Sequence, residues 1–171
     1  MSSAALPLLR IPVGVVVERR RADSPWIDFV WRGTGVLPDE PEMAPWTVMR
    51  EQEGTTLFYA GSATVDLYRS ETARYRDNLA SGAPCVWIVL TPSEGMWPYA
   101  VSAVTADAAE GEAFTEAGAN LVEAVPMPEV LHVAIENFVA EHHVETQFVK
   151  RERRRADPEA LARRPHDGEH E

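Results

Sequence analysis

Short stretches rich in β-branched and aromatic residues follow one another closely along this chain, and they constrain its fold more than any other feature. They lie at residues 11–19 and 26–36, then in WTVMREQ, TTLFYAG and ATVDLYRS, and later in PCVWIVLTP, YAVSAVTAD and NLVEAVPM. Turn signals at Glu53-Gly54 and Gly61-Ser62 separate the third, fourth and fifth stretches. The connections are too short for crossover helices, so the spacing predicts antiparallel strands in a meander.

Three other segments carry helix signals. SETARYRDNLASG offers Ser70 as an N-cap and Gly82 as a C-terminal stop. DAAEGEAFTEAG predicts a short acidic helix that ends at Gly118. MPEVLHVAIENFVAEHH has Pro128 at the first helical position. One stripe of this last helix carries Leu131, Ile135, Phe138 and His142. An apolar stripe of this kind is expected to pack on the sheet.

The 171 residues are enough to bury one core. The expected fold class is α+β: an antiparallel barrel-like roll or meander of about seven strands, with two or three helices, the last packed on the sheet. Closure would remove exposed strand edges, and an open sheet with all helices on one face is the alternative. We expect an N-terminal extension at residues 1–10, a single globular domain at 11–148 and a charged, flexible tail at 149–171.

The stretch SPWIDFVWRGTGVLP raises the question of whether it forms a binding surface or the inside of a sheet. As a strand, it presents Ile27, Phe29 and Trp31 on one face, and Trp26, Asp28, Val30 and Arg32 on the other. The first face suits a core. The second is either a solvated face or a recognition surface, because Trp and Arg often anchor interfaces. In the latter interpretation Trp46, beyond a stiff proline-rich loop, joins Trp26, Asp28 and Arg32.

No motif points to catalysis. The sequence has neither a glycine-rich nucleotide-binding pattern nor the HExxH and GxSxG signatures of hydrolases. Cys85 is the only cysteine, and its apolar strand predicts an inert thiol. His132 and Glu136 are interpreted as a solvated pair on a helix. A solvated helix face is also expected for the acids Asp107, Glu110, Glu112 and Glu116, with docking of a basic partner as the alternative. We therefore predict no catalytic residue, metal or cofactor, and favour a protein without enzymatic activity.

Charge is divided unevenly along the chain. The net charge is −11, and an acidic body repels nucleic acid. A basic run follows the last helix, made of Lys150, Arg151, Arg153, Arg154 and Arg155. This run either folds back on the acidic body or binds an acidic partner or an RNA, and we favour contact with acidic groups of a protein. No apolar stretch is long enough to span a membrane, and the N-terminus lacks the pattern of a signal peptide, so we expect a cytoplasmic protein with no membrane partner.

Several segments together carry a family resemblance that runs from about Ile11 to Arg164. They are VGVVVERR, SPWIDFVWR, APWTV, FYAG, ETARYRDNLASGAPCVWIVL, VTADAAEGEAFTEAG, VEAVPMP and DPEALARR. With these segments the chain resembles the bacterial family labelled domain of unknown function 3305. The resemblance implies an association with molybdenum-dependent formate dehydrogenases, near which such relatives tend to be encoded. Some relatives carry labels tied to molybdopterin-guanine dinucleotide biosynthesis. No catalytic residue is implied.

Two functional hypotheses follow. In the first, the protein is a non-catalytic accessory that binds a formate dehydrogenase subunit or a maturation factor. In the second, it is a small enzyme or carrier that binds a pterin or nucleotide in the molybdenum cofactor pathway. The second would use Trp26, Trp87 and Tyr99 for stacking and Arg32, Arg74 or Arg76 for a phosphate. A deep pocket lined by these residues would favour the second hypothesis, and a shallow surface with exposed indoles would favour the first.

Overall fold

The computed structural model describes residues 5–143, which form seven strands, three α-helices and one short 3-10 helix. The strands are β1 (Leu9–Arg21), β2 (Phe29–Pro38), β3 (Thr47–Gln52), β4 (Thr55–Leu67), β5 (Cys85–Pro92), β6 (Tyr99–Thr105) and β7 (Leu121–Pro126). The helices are α1 (Thr72–Ala80), α2 (Ala108–Glu116) and α3 (Glu129–His142), and the 3-10 turn Arg69–Glu71 precedes α1. Every ladder between these strands is antiparallel, which confirms the predicted α+β class.

The strands form two sheets. One has the order β2-β1-β4-β3, and the other has the order β6-β5-β7. Closure into a barrel was therefore the wrong expectation, since no ladder joins the two sheets among the described strands. Strand β1 lies between β2 and β4 in the first sheet. Helix α1 follows β4 in the chain and precedes β5, the first strand of the second sheet. The two sheets then cover their apolar sides by packing on each other, with β4 against β6 and β2 against β7.

Strand β4 is continuous where the sequence predicts a turn. It pairs with β1 along its whole length, from Leu67 opposite Leu9 to Thr55 opposite Arg20. Gly61 has φ 141 and lies where the register shifts, so it forms a bulge within the strand. The turn predicted at Gly61-Ser62 is wrong because glycine supports both structures, and only the long partner strand selects the bulge.

The core lies between the sheets and helices α1 and α3. Leu131, Ile135 and Phe138 of α3 are buried, which confirms the predicted apolar stripe and its packing. The ring of Phe138 meets the ring of Tyr75 from α1 edge-on, with centroids 6.2 Å apart. Helix α3 therefore covers the core together with α1, and their side chains join the buried strand residues in one cluster.

Two helices start differently from the prediction. Ser70 lies in the 3-10 turn, where its hydroxyl donates to the Glu71 carboxylate instead of capping α1. Pro128 is the N-cap of α3 with ψ 146, so the helix begins one residue later, at Glu129. None of the three helices described is long and apolar enough to cross a membrane.

Candidate docking surface around Trp26

The connection between β1 and β2 places an indole in solvent. A backbone hydrogen bond from the Ala22 N–H to the Asp28 carbonyl, 3.0 Å long, closes the loop. The Ser24 hydroxyl accepts from the Trp26 N–H at 3.2 Å and turns the chain within it. Trp26 is 90% exposed and Ile27 is 53% exposed. The strand therefore begins at Phe29, and the prediction that it begins at Trp26 with Ile27 facing the core is wrong.

Beyond this loop the strand runs into a group of six aromatic side chains. This aromatic cluster consists of Phe29, Trp31, Trp46, Phe58, Trp97 and Tyr99. Trp46 stacks on Trp97 with centroids 5.2 Å apart, and Trp31 stacks on Phe58 at 6.0 Å. Trp97 comes from the loop between β5 and β6, so the cluster joins the two sheets at one edge of the molecule. Phe29 stands at its outer end and is 36% exposed.

Arg19 completes the cluster from β1. Its guanidinium lies 4.5 Å from the ring centre of Phe29, 5.1 Å from that of Phe58 and 5.7 Å from that of Trp31. These are distances at which a cation is attracted to aromatic faces. Sequence analysis missed this residue because it lies in the basic end of a predicted strand. The available signal was its pairing with Trp31 across a hairpin, which the register confirms.

Trp46 has an unusual backbone conformation. Its φ of 66° lies in the left-handed region. A bulky residue rarely adopts this conformation, because it costs free energy. The surrounding contacts hold it there: its N–H donates to the Tyr59 carbonyl, and its indole stacks on Trp97. The proline-rich loop thus ends at an indole anchored inside the aromatic cluster.

The residues predicted to form one binding surface do not all lie on the same face of the protein. Trp46 is connected to Phe29 through Trp31, whereas Trp26 lies in the exposed loop three residues before Phe29. Asp28 is exposed in the loop beside Trp26. Arg32 alternates with Trp31 along β2 and faces the other side of the sheet, where it lies 3.8 Å from the Glu18 carboxylate. The remaining predicted residues, Lys150, Arg151, Arg153, Arg154 and Arg155, lie outside the described residues.

The sequence predicts that Asp107 belongs to a solvated helix face, and this prediction is wrong. Asp107 is 4% exposed and accepts hydrogen bonds from the Ala109 N–H at 3.0 Å and from Arg74 Nε at 2.9 Å. It therefore caps α2 and ties it to α1. Arg74 also contacts the Glu71 carboxylate, so two acids already engage its guanidinium. The cleft beside this pair is open, and its lining includes Tyr68 and Glu110.

The aromatic residues of the second hypothesis do not share a pocket. Trp87 packs on α2, where a Cβ added to Gly111 would lie 2.7 Å from its ring. Tyr99 lies in the aromatic cluster at 6.4 Å from Trp31, and Trp26 stands in the solvent-exposed loop. These three side chains therefore belong to three different environments within the described region.

In the described region, Cys85 is half-buried and the potential metal-ligating side chains lie apart. Burial raises the pKa of the half-buried Cys85 thiol, which keeps it protonated at neutral pH. Between residues 5 and 143, no three His, Cys, Asp or Glu side chains are grouped so that they could hold a metal ion.

Comparison with known proteins gives one match. A family model described as "Protein of unknown function (DUF3305)" matches residues 12–153, a range that contains the exposed loop and the whole aromatic cluster. No curated protein and no solved structure matches the chain.

Proposed function

The chain belongs to the DUF3305 family, and from this premise we propose that it is an accessory protein that binds another protein through the docking surface formed by Trp26, Ile27 and the outer rings of the aromatic cluster. The observation that carries the proposal is the exposure of Trp26, which is 90% accessible on a loop closed by its own backbone hydrogen bond. Ile27 and Phe29, which lie close to Trp26 in the chain, are exposed as well, and a group of exposed apolar side chains with a Trp among them favours an interaction surface.

The composition of this surface fits that role. Trp, Phe and Arg are enriched in the buried centres of interfaces. Here Arg19 lies over the ring of Phe29, and the exposed Trp26 lies three residues before Phe29 in the chain. An indole buries about 200 Å² in a partner's pocket, a gross gain of roughly 5 kcal/mol before the entropic cost of association. The closed loop lowers that cost because its backbone is already ordered.

We further propose that the partner is a subunit or maturation factor of a molybdenum-dependent formate dehydrogenase, and that the two proteins bind each other in the bacterial cytoplasm. The family resemblance supports this choice of partner, and the surface supports protein binding. Binding of a pterin or nucleotide gains no support from the described residues, because carboxylates already engage Arg74 and the three candidate stacking residues lie apart.

Photo-crosslinking in the native cell tests the proposal. A photoreactive amino acid at position 26 should give an adduct with a formate dehydrogenase subunit or maturation factor, identified by mass spectrometry. The same amino acid at position 133 is the matched control, because Val133 is an exposed apolar residue on α3, at 46% accessibility. Adducts at position 26 that equal those at position 133 would contradict a docking role. A specific adduct with an unrelated protein would contradict the choice of partner alone.

A further inference from the structure

Within residues 5–143, the guanidinium of Arg19 lies on aromatic rings and has no acidic partner. We propose that it is a preformed receptor for a carboxylate, so that the docking surface selects an apolar peptide segment that carries Asp or Glu. This inference rests on the proposed protein-binding function and specifies the chemistry of the partner. It concerns a residue that contacts Phe29, Trp31 and Phe58, on the side of the sheet that carries the aromatic cluster.

The contrast with other arginines is the first step. Arg10 lies 3.4 Å from Asp66, Arg32 lies 3.8 Å from Glu18, and Arg74 contacts Asp107 and Glu71. Arg19 forms no ion pair and no side-chain hydrogen bond with any residue of the described region, although it is half-buried. Its contacts there are those with the faces of Phe29, Trp31 and Phe58.

The geometry of the contact is the second step. A guanidinium carries five N–H donors in one plane and binds a carboxylate through two of them at once. Ring faces attract its charge but accept none of these hydrogen bonds in the way that an oxygen does. Three rings around one guanidinium restrict its rotamers before binding, so less conformational entropy is lost when a carboxylate arrives. Partial burial also weakens the screening by water.

Among the residues paired across the strands with Arg19, the nearest acid is too far away to pair with its guanidinium. Arg19 is opposite Thr56, and Thr56 is opposite Glu51, so Glu51 lies two strands away, at about 10 Å between backbones. A carboxylate on a segment that covers Phe29 would approach Arg19 directly. Polyanions are disfavoured because the chain carries a net charge of −11. A single carboxylate within an apolar segment fits both conditions.

Selection of displayed random peptides on the full-length protein tests the inference. The parent protein should enrich peptides in which Asp or Glu stands among Leu, Phe or Trp. Arg19→Ala should keep the preference for apolar peptides and lose the preference for acidic ones. Its affinity for a selected peptide should be roughly tenfold lower, which corresponds to a loss of about 1.4 kcal/mol in binding free energy. Arg19→Lys keeps the charge but not the paired donors, and it should fall between the two. Arg20→Ala is the matched control, since Arg20 is exposed and alternates to the other side of β1.

Each outcome decides the inference. The inference would be overturned if Arg19→Ala and the parent protein enriched acidic peptides equally. It would also be overturned if the parent protein bound vesicles containing phosphatidylglycerol and Arg19→Ala abolished that binding. If the adduct at position 26 forms but the parent protein selects peptides without acids, the inference fails and the proposed function stands. If no specific adduct forms at position 26, the proposed function itself fails. A circular dichroism spectrum of each variant that matches the parent's establishes that folding is intact.

Discussion

Tyr75 shows how one buried side chain depends on its surroundings. Its ring packs on Phe138, and its hydroxyl oxygen accepts a hydrogen bond from the Tyr68 N–H at 3.0 Å. Burial raises the pKa of the phenol to about 12, and the nearby charges of Asp107 and Glu110 act in the same direction. The sequence alone says nothing of these acids, which lie at the start of α2.

This raised pKa predicts a loss of stability in alkali. The folded protein holds the Tyr75 proton more tightly than the unfolded chain does, so the stabilisation is complete below pH 10 and is lost as the pH rises towards about 12. Tyr75→Phe cannot ionise, and the slope of unfolding free energy against pH in this range should be smaller than in the parent protein. Urea unfolding at several alkaline pH values measures both slopes. Equal slopes would show that Tyr75 does not contribute.

At the scale of elements, α2 and β5 show how a helix is seated on a sheet. Gly111 is buried in the middle of α2, and a Cβ there would lie 2.7 Å from Trp87 Cγ and 3.1 Å from Trp87 Cβ. Helix propensity alone favours alanine over glycine in this position. The glycine is therefore explained by the close approach of the helix to the Trp87 ring and not by any need for an unusual backbone angle.

Gly111→Ala is expected to destabilise the protein by about 1 kcal/mol, because the overpacking penalty of roughly 1–3 kcal/mol exceeds the gain in helix propensity of about 1 kcal/mol. In a Trp87→Leu background the ring is gone, and the same change should become neutral or stabilising. Urea unfolding of the four proteins gives the coupling energy between the two positions. A stabilising Gly111→Ala in the parent would mean that α2 lies further from β5.

At the scale of the whole molecule, the docking surface and the basic run are formed by different parts of the chain. The docking surface comes from the first two thirds of the sequence, where both sheets contribute aromatic rings. The basic run from Lys150 to Arg155 follows α3 and, although most of it falls inside the family match, it lies outside the described residues. We propose that the run assists partner capture by long-range attraction, while the surface around Trp26 supplies the specific contact.

Truncation after Phe148 tests this division. The removed segment has few apolar residues, so we expect the melting temperature to remain nearly unchanged. Capture of the crosslinked partner should weaken, and the loss should be largest at low ionic strength, where charge attraction is least screened. Replacement of Arg163 and Arg164 by Gln is the control for general loss of charge. A truncated chain that fails to fold would place the segment within the domain, and unchanged capture would remove it from recognition.

The sequence by itself determined the antiparallel direction of the strands and the buried stripe of α3, whereas it divided β4 into two predicted strands. These properties depend on local spacing: short connections allow only antiparallel neighbours, and the helical period places Leu131, Ile135 and Phe138 on one side. Trp26 and Trp46 were also found in this way, because large aromatic side chains near turn residues are visible in the sequence. Their role as binding residues remains a prediction.

The tertiary structure alone decided what depends on partners distant in the chain. The division into two sheets follows from the packing of β2 on β7 and of β4 on β6, which no local pattern encodes. Asp107 is buried because Arg74, 33 residues away, reaches it from α1. Trp97 joins the aromatic cluster because the loop between β5 and β6 of one sheet contacts Trp46 and Phe58 of the other. The number of long-range pairings that a sequence allows is large, and only the packing of the whole chain selects among them.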